Sequence, residues 1–103
     1  MITSKQRAYL RGLAQNLEPI FQIGKNGIND NQVEQIANAL EARELIKISV
    51  LETAPANARA LGEEIANLTN SSLVQTIGNK ITLYKKRKKN SNLTWRLSAW
   101  KRH

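Results

Sequence analysis

The chain has 103 residues, with 16 Lys and Arg against 8 Asp and Glu, a formal net charge of +8, no cysteine and a single histidine, His103, at its last position. That length suits one domain, large enough to bury a core without metal or disulfide staples. Absent thiols exclude cysteine catalysis and cysteine-ligated zinc, and one terminal histidine leaves no member for a Ser-His-Asp site, so the composition points to a binding module with no cofactor and no small-molecule substrate.

In chain order, Thr3-Ser4-Lys5-Gln6 reads as a capping box. Leu10, Leu13, Ala14 and Leu17 follow as the apolar stripe of a helix of about 13 residues, which Pro19 ends. Arg7 and Arg11 lie four apart on a neighbouring face and are expected to point to solvent or a ligand. Residues 19–23, PIFQI, form a short β-prone run. After Gly24-Lys25-Asn26-Gly27, Asn29 caps a second helix, with Gln32 at the matching third position and Val33, Ile36, Ala37 and Leu40 as its stripe. A second strand spans residues 45–51, with Ile46, Ile48 and Val50 on one face and Lys47 and Ser49 on the other. Pro55 sits at or before the first turn of a third helix whose stripe is Ala58, Leu61, Ile65 and Leu68, weakened by Gly62. Residues 73–77 and 80–84 are two strands joined by the hairpin signal Gly78-Asn79. The order αβαβαββ predicts an α/β fold, one small domain with a four-stranded mixed sheet and three helices.

Charge is distributed unevenly. Residues 1–33 carry +2, residues 34–79 carry −3, and residues 80–103 carry +9 with no acid. The chain through Tyr84 sums to zero, so the whole excess of +8 lies in residues 85–103. Such an asymmetry suggests a polyanionic partner. No apolar run reaches the 18 or so residues of a membrane helix, and the N-terminal residues lack a secretory signal pattern, which leads us to expect a cytoplasmic protein.

No arrangement of residues suggests catalysis. Glu63 and Glu64 are the only adjacent carboxylates, and on a helix they diverge by about 100°. No glycine pattern matches a Walker loop or a dinucleotide fingerprint. The Gly24-Lys25-Asn26-Gly27 loop is more informative. It sits before a helix N-terminus, whose unpaired N–H groups suit a phosphate, and two glycines permit close approach of a sugar-phosphate backbone. By spacing alone it reads more readily as an ordinary strand-to-helix turn, and Asp30 beside it counts against an anion there or serves the helix dipole.

Residues 5–14 (KQRAYLRGLA), Leu17-Glu18-Pro19, residues 23–27 (IGKNG), residues 44–48 (ELIKI) and residues 75–84 (QTIGNKITLY) together resemble a CRM domain, named for chloroplast RNA splicing and ribosome maturation, in its stand-alone bacterial YhbY-type form. This similarity runs from about residue 3 to residue 86. It implies a fold like the C-terminal domain of translation initiation factor three, and an RNA-binding role with precursors of the large ribosomal subunit or ribosomal RNA. Splicing of group II introns is the alternative that the plant members imply. The family's glycine loop carries over to Gly24, Lys25, Asn26 and Gly27 as RNA contacts. Arg7, Arg11 and Lys47 are candidate phosphate contacts, and Lys80 is expected to guard an edge strand against pairing.

The resemblance stops at residue 86, and we expect a CRM-type domain over 1–86 and a basic, Trp-containing extension over 87–103. Lys85-Lys86-Arg87-Lys88-Lys89 is a run of five cations suited to RNA. Beyond it, Leu93, Leu97 and Trp100 share a helical face, with Trp95 between them. Three uses stand for this segment: auxiliary RNA contact, docking of the tryptophans on the sheet or on a neighbouring chain, and weak contact with a membrane surface. An interaction or anchoring protein built on that segment is the rival to RNA binding.

Overall fold

The computed structural model describes residues 2–86, and the candidates Arg87, Lys88, Lys89, Trp95 and Trp100 lie outside them. The elements are α1 (Ser4–Ala14), β1 (Phe21–Ile23), α2 (Asp30–Arg43), β2 (Leu45–Val50), α3 (Ala58–Thr69), β3 (Ser72–Ile77) and β4 (Lys80–Tyr84). This is the αβαβαββ order read from the sequence.

Local signals set the helix starts. Thr3 and Gln6 form the reciprocal capping box at α1, with the Gln6 amide donating to Thr3 Oγ1 at 3.1 Å and the Thr3 amide to Gln6 Oε1 at 2.9 Å. Asn29 caps α2 by accepting from the Gln32 amide at 2.7 Å. The Gln32 side chain does not complete a capping box; it reaches back to the Gln22 carbonyl at 3.0 Å. Asn57 caps α3, accepting from the Ala60 amide at 2.8 Å, and Pro55 lies just before its first turn. Helix α1 ends at Ala14, well before Pro19, because the chain turns off through Leu17 N–H to Ala14 O.

Strand order is β1-β2-β4-β3, with β1 parallel to β2 and the other pairs antiparallel. Lys80 therefore lies on a central strand, and guarding an edge is not its role. The edges are β1, three residues long with the Gln22 carbonyl covered by Gln32, and β3, which carries a bulge between Leu73 and Gln75. Both devices blunt an edge.

One sheet face packs against α2 and α3. Ile23, Ile46, Ile48, Val50, Ile81 and Leu83 from the strands meet Ile36, Leu40, Ala58, Leu61 and Ile65 from the helices. Helix α3 approaches closely at Gly62, where a Cβ would stand 3.0 Å from Leu73 Cδ1 and 3.2 Å from Ile81 Cγ2. The glycine that looked like a weakness is the contact point of helix and sheet. Leu68, expected in the α3 stripe, is 55% exposed, and Ala66 and Thr69 are buried instead. Helix α1 covers only part of the opposite face, where Leu10 and Ala14 pack on Leu45, Val74 and Tyr84.

Candidate nucleic-acid interface

The glycine loop leaves the buried end of β1 at Ile23 and closes a tight turn, Gly27 N–H to Gly24 O at 3.0 Å. Gly27 has φ 67°, a left-handed angle that favours glycine, and an added Cβ there would stand 3.1 Å from Pro55 Cγ. Gly24 differs. Its φ is not in the left-handed range, and an added Cβ would meet only Leu51 Cδ1 at an ordinary 3.6 Å. Gly27 is needed by the turn, whereas nothing in the fold forbids a side chain at Gly24. Lys25 and Asn26, at the loop's tip, are exposed. The connection from β2 to α3 braces the loop through Leu51 N–H to Ile23 O at 2.9 Å. The N-terminus of α2, with Asp30 in its first turn, follows directly.

The other candidate cations divide into two kinds. Arg11 and Lys86 are exposed. Arg7 is not directed to solvent as expected: its Nη1 donates to the carbonyls of Leu73 at 2.6 Å and Val74 at 2.7 Å, fastening α1 to the bulge of β3. Lys47 Nζ donates to Leu17 O at 3.2 Å and so ties β2 to the segment after α1. Lys85 Nζ donates to Thr69 O at 3.0 Å, and its backbone N–H to Glu44 O at 2.9 Å. Lys80 Nζ lies 3.4 Å from Ser49 Oγ and 3.2 Å from Asn79 Oδ1. The sequence does hold a clue to Arg7, because residues 7, 10 and 14 fall at i, i+3 and i+7, inside the buried stripe.

What the sequence did not disclose is how the charges sort between layers. Helices α2 and α3 bear Asp30, Glu34, Glu41, Glu63 and Glu64 against Arg43 and Arg59. Helix α1 bears Lys5, Arg7 and Arg11, and the strands bear Lys47 and Lys80, with no acid among them. A body that is neutral through Tyr84 is thus acidic on its α2/α3 side and basic on its α1 side. Among the described residues no group of three His, Cys, Asp or Glu could hold a metal ion, and no helix is long and apolar enough to cross a membrane.

Residues 2–85 match the family model described as the CRS1 / YhbY (CRM) domain. The chain belongs to the CRM domain family. It is 52% identical over 93 residues to the probable RNA-binding protein YqeI of Bacillus subtilis, covering 90% of this chain and 97% of that one. An RNA-binding protein of Haemophilus influenzae is 34% identical over 84 residues, covering 82% of this chain and 85% of its own. Among solved structures, the solution structure of SAV1595 from Staphylococcus aureus superposes with a TM-score of 0.76 at 49% identity, over 88% of this chain and 95% of that one. The CRM fold expected from the sequence is the fold observed.

Proposed function

We infer that this CRM domain is a non-catalytic RNA-binding protein that assists maturation of the large ribosomal subunit in the cytoplasm, holding structured RNA at the Gly24–Gly27 loop. The reading is carried by one observation: a loop whose first glycine the fold does not require, with exposed Lys25 and Asn26 beside it, in a chain whose relatives are named RNA-binding proteins. The ribosomal role rests on the resemblance to bacterial YhbY-type members, and the RNA-binding part on relatives such as YqeI, which this chain matches over 97% of that protein's length. Phosphates sit against the loop and the start of α2, with Lys25 and Arg11 supplying mobile charge and the basic run at residues 85–89 adding to the attraction.

Filter binding to ribosomal RNA fragments tests this. With about six phosphates neutralised, affinity falls by roughly two to three decades between 50 and 200 mM salt. Lys25→Glu reduces the slope of log K against log salt by about 1 or more and leaves the thermal midpoint unchanged. Gly24→Ala also leaves the midpoint unchanged while weakening binding, because its methyl occupies space the RNA backbone needs. Retention of full affinity by both variants would reduce the loop to a turn. Crosslinking in cell extract followed by sequencing of bound RNA identifies the RNA, and recovery without ribosomal precursors overturns the ribosomal role.

A further inference from the structure

Helix α1 packs on one end only of the sheet face beneath it. Three rows of paired residues cross it. The lowest, Leu45–Tyr84–Ser72, lies with Val74 beneath α1. The next is Lys47–Thr82–Gln75, and the uppermost is Gln22–Ser49–Lys80–Ile77, running from one edge of the sheet to the other. These upper rows hold two lysines, two glutamines, a serine and a threonine, and no acid; Ser49 and Thr82 are buried, Lys47, Gln75 and Lys80 are half-buried, and Gln22 and Ile77 at the edges are exposed. Glu18, Glu44 and Glu52, the acids nearest along the chain, lie in the connections before β1, before β2 and after β2.

Solvent alone explains a polar face on a half-covered sheet. Three further observations favour a polyanion. All the cations of α1 and the strands lie on this side of the sheet or at its margin, while the acids of α2 and α3 lie on the other. Ile77 is 64% exposed and Leu51 40% exposed at the same end as the glycine loop, which gives that polar surface an apolar rim. The surface is also continuous with the loop, since Leu51 lies against Gly24 and the Asn79 side chain donates to Val50 O at 3.1 Å.

We propose that the half of this face beyond α1, presented by exposed Gln22 and Ile77 and half-buried Lys47, Gln75 and Lys80, is a second RNA surface that receives the bases of a single strand whose backbone is held at the glycine loop. The proposal rests on the RNA-binding reading above. No aromatic ring lies in these rows, since Phe21 packs on the α2/α3 side. Recognition is therefore by amide and ammonium hydrogen bonds to base edges, with apolar contact at Ile77, and not by stacking.

The test uses the full chain and a 12-nucleotide single-stranded RNA of mixed sequence at 100 mM salt. The nearly isosteric double variant Gln22→Glu/Gln75→Glu places two negative charges on this face, and its Kd rises about tenfold. A control of equal charge, Gln35→Glu/Asn38→Asp, sits on exposed positions of α2, and its Kd rises less than about threefold. Thermal melts of both proteins verify folding, and Ile77→Ser, at an exposed site, provides an uncharged second probe whose Kd rises about threefold. Equal weakening by the two doubles, or wild-type affinity in Gln22→Glu/Gln75→Glu and Ile77→Ser, overturns the sheet surface while Lys25→Glu still reports on the loop. Failure of the wild-type chain to bind any RNA overturns both.

Discussion

Consecutive residues of β2 and β4 live in different surroundings. Ile46, Ile48, Ile81 and Leu83 are sealed beneath α2 and α3, whereas Lys47, Ser49, Lys80 and Thr82 face the side that α1 covers in part. Apolar burial on the first side supplies most of the stability. On the second side the same backbone presents charge and hydrogen-bonding groups at fixed spacing. Because strand side chains alternate, one face can be altered with little disturbance of the other.

Neighbours on β2 offer the severest test of that contrast. Ile48→Ala opens a cavity in the sealed face and lowers unfolding free energy by about 2–5 kcal/mol. Lys47→Gln, one residue away, loses a single hydrogen bond to Leu17 O and lowers it by about 1 kcal/mol or less. Urea denaturation with equal slopes measures both, and similar losses would show that the two faces are not energetically distinct. Next in size is the α1 clamp. Arg7→Met removes two charge-assisted bonds to β3 carbonyls and destabilises by about 1.5–3 kcal/mol, whereas Arg11→Met, exposed, changes stability by less than about 0.5 kcal/mol and acts on RNA affinity instead. A stability loss at Arg11 equal to that at Arg7 would erase the distinction. The smallest effects concern two helix glycines. Gly12→Ala, with nothing within 4 Å, stabilises by about 0.5–1 kcal/mol. Gly62→Ala gains the same propensity but presses on fully buried Ile81, and overpacking of about 1–3 kcal/mol makes its net effect a loss. Thermal midpoints moving in opposite directions verify the pair.

Element order, strand pairing partners near the hairpin and the caps at Thr3 and Asn29 were legible because each rests on local chemistry: period, turn residues and short-range hydrogen bonds. So was the glycine loop as a candidate, although its two glycines only part company once Pro55 and Leu51 are seen beside them. What stayed hidden depends on distant neighbours. Arg7 reads as a surface cation until β3, some 66 residues later, brings two carbonyls to it. Gly62 reads as a helix breaker until the sheet closes on it. Net charge by segment described the body through Tyr84 as neutral, since a linear sum cannot register which side of a sheet each residue faces. The candidates Lys47 and Lys85 likewise acquire backbone partners only through the fold.

The bulge in β3 has a consequence for how this domain can change over time. Leu73 pairs with Leu83 and Gln75 with the very next residue, Thr82, so Val74 is an insertion in an otherwise regular ladder. Its side chain lies under α1 and its carbonyl accepts from Arg7. Deleting that one residue would leave Gln75, Thr76 and Ile77 opposite their present partners while removing part of the seat of α1. Attachment of the first helix is therefore a separable module, which a single-codon event can loosen or restore without rewriting the sheet.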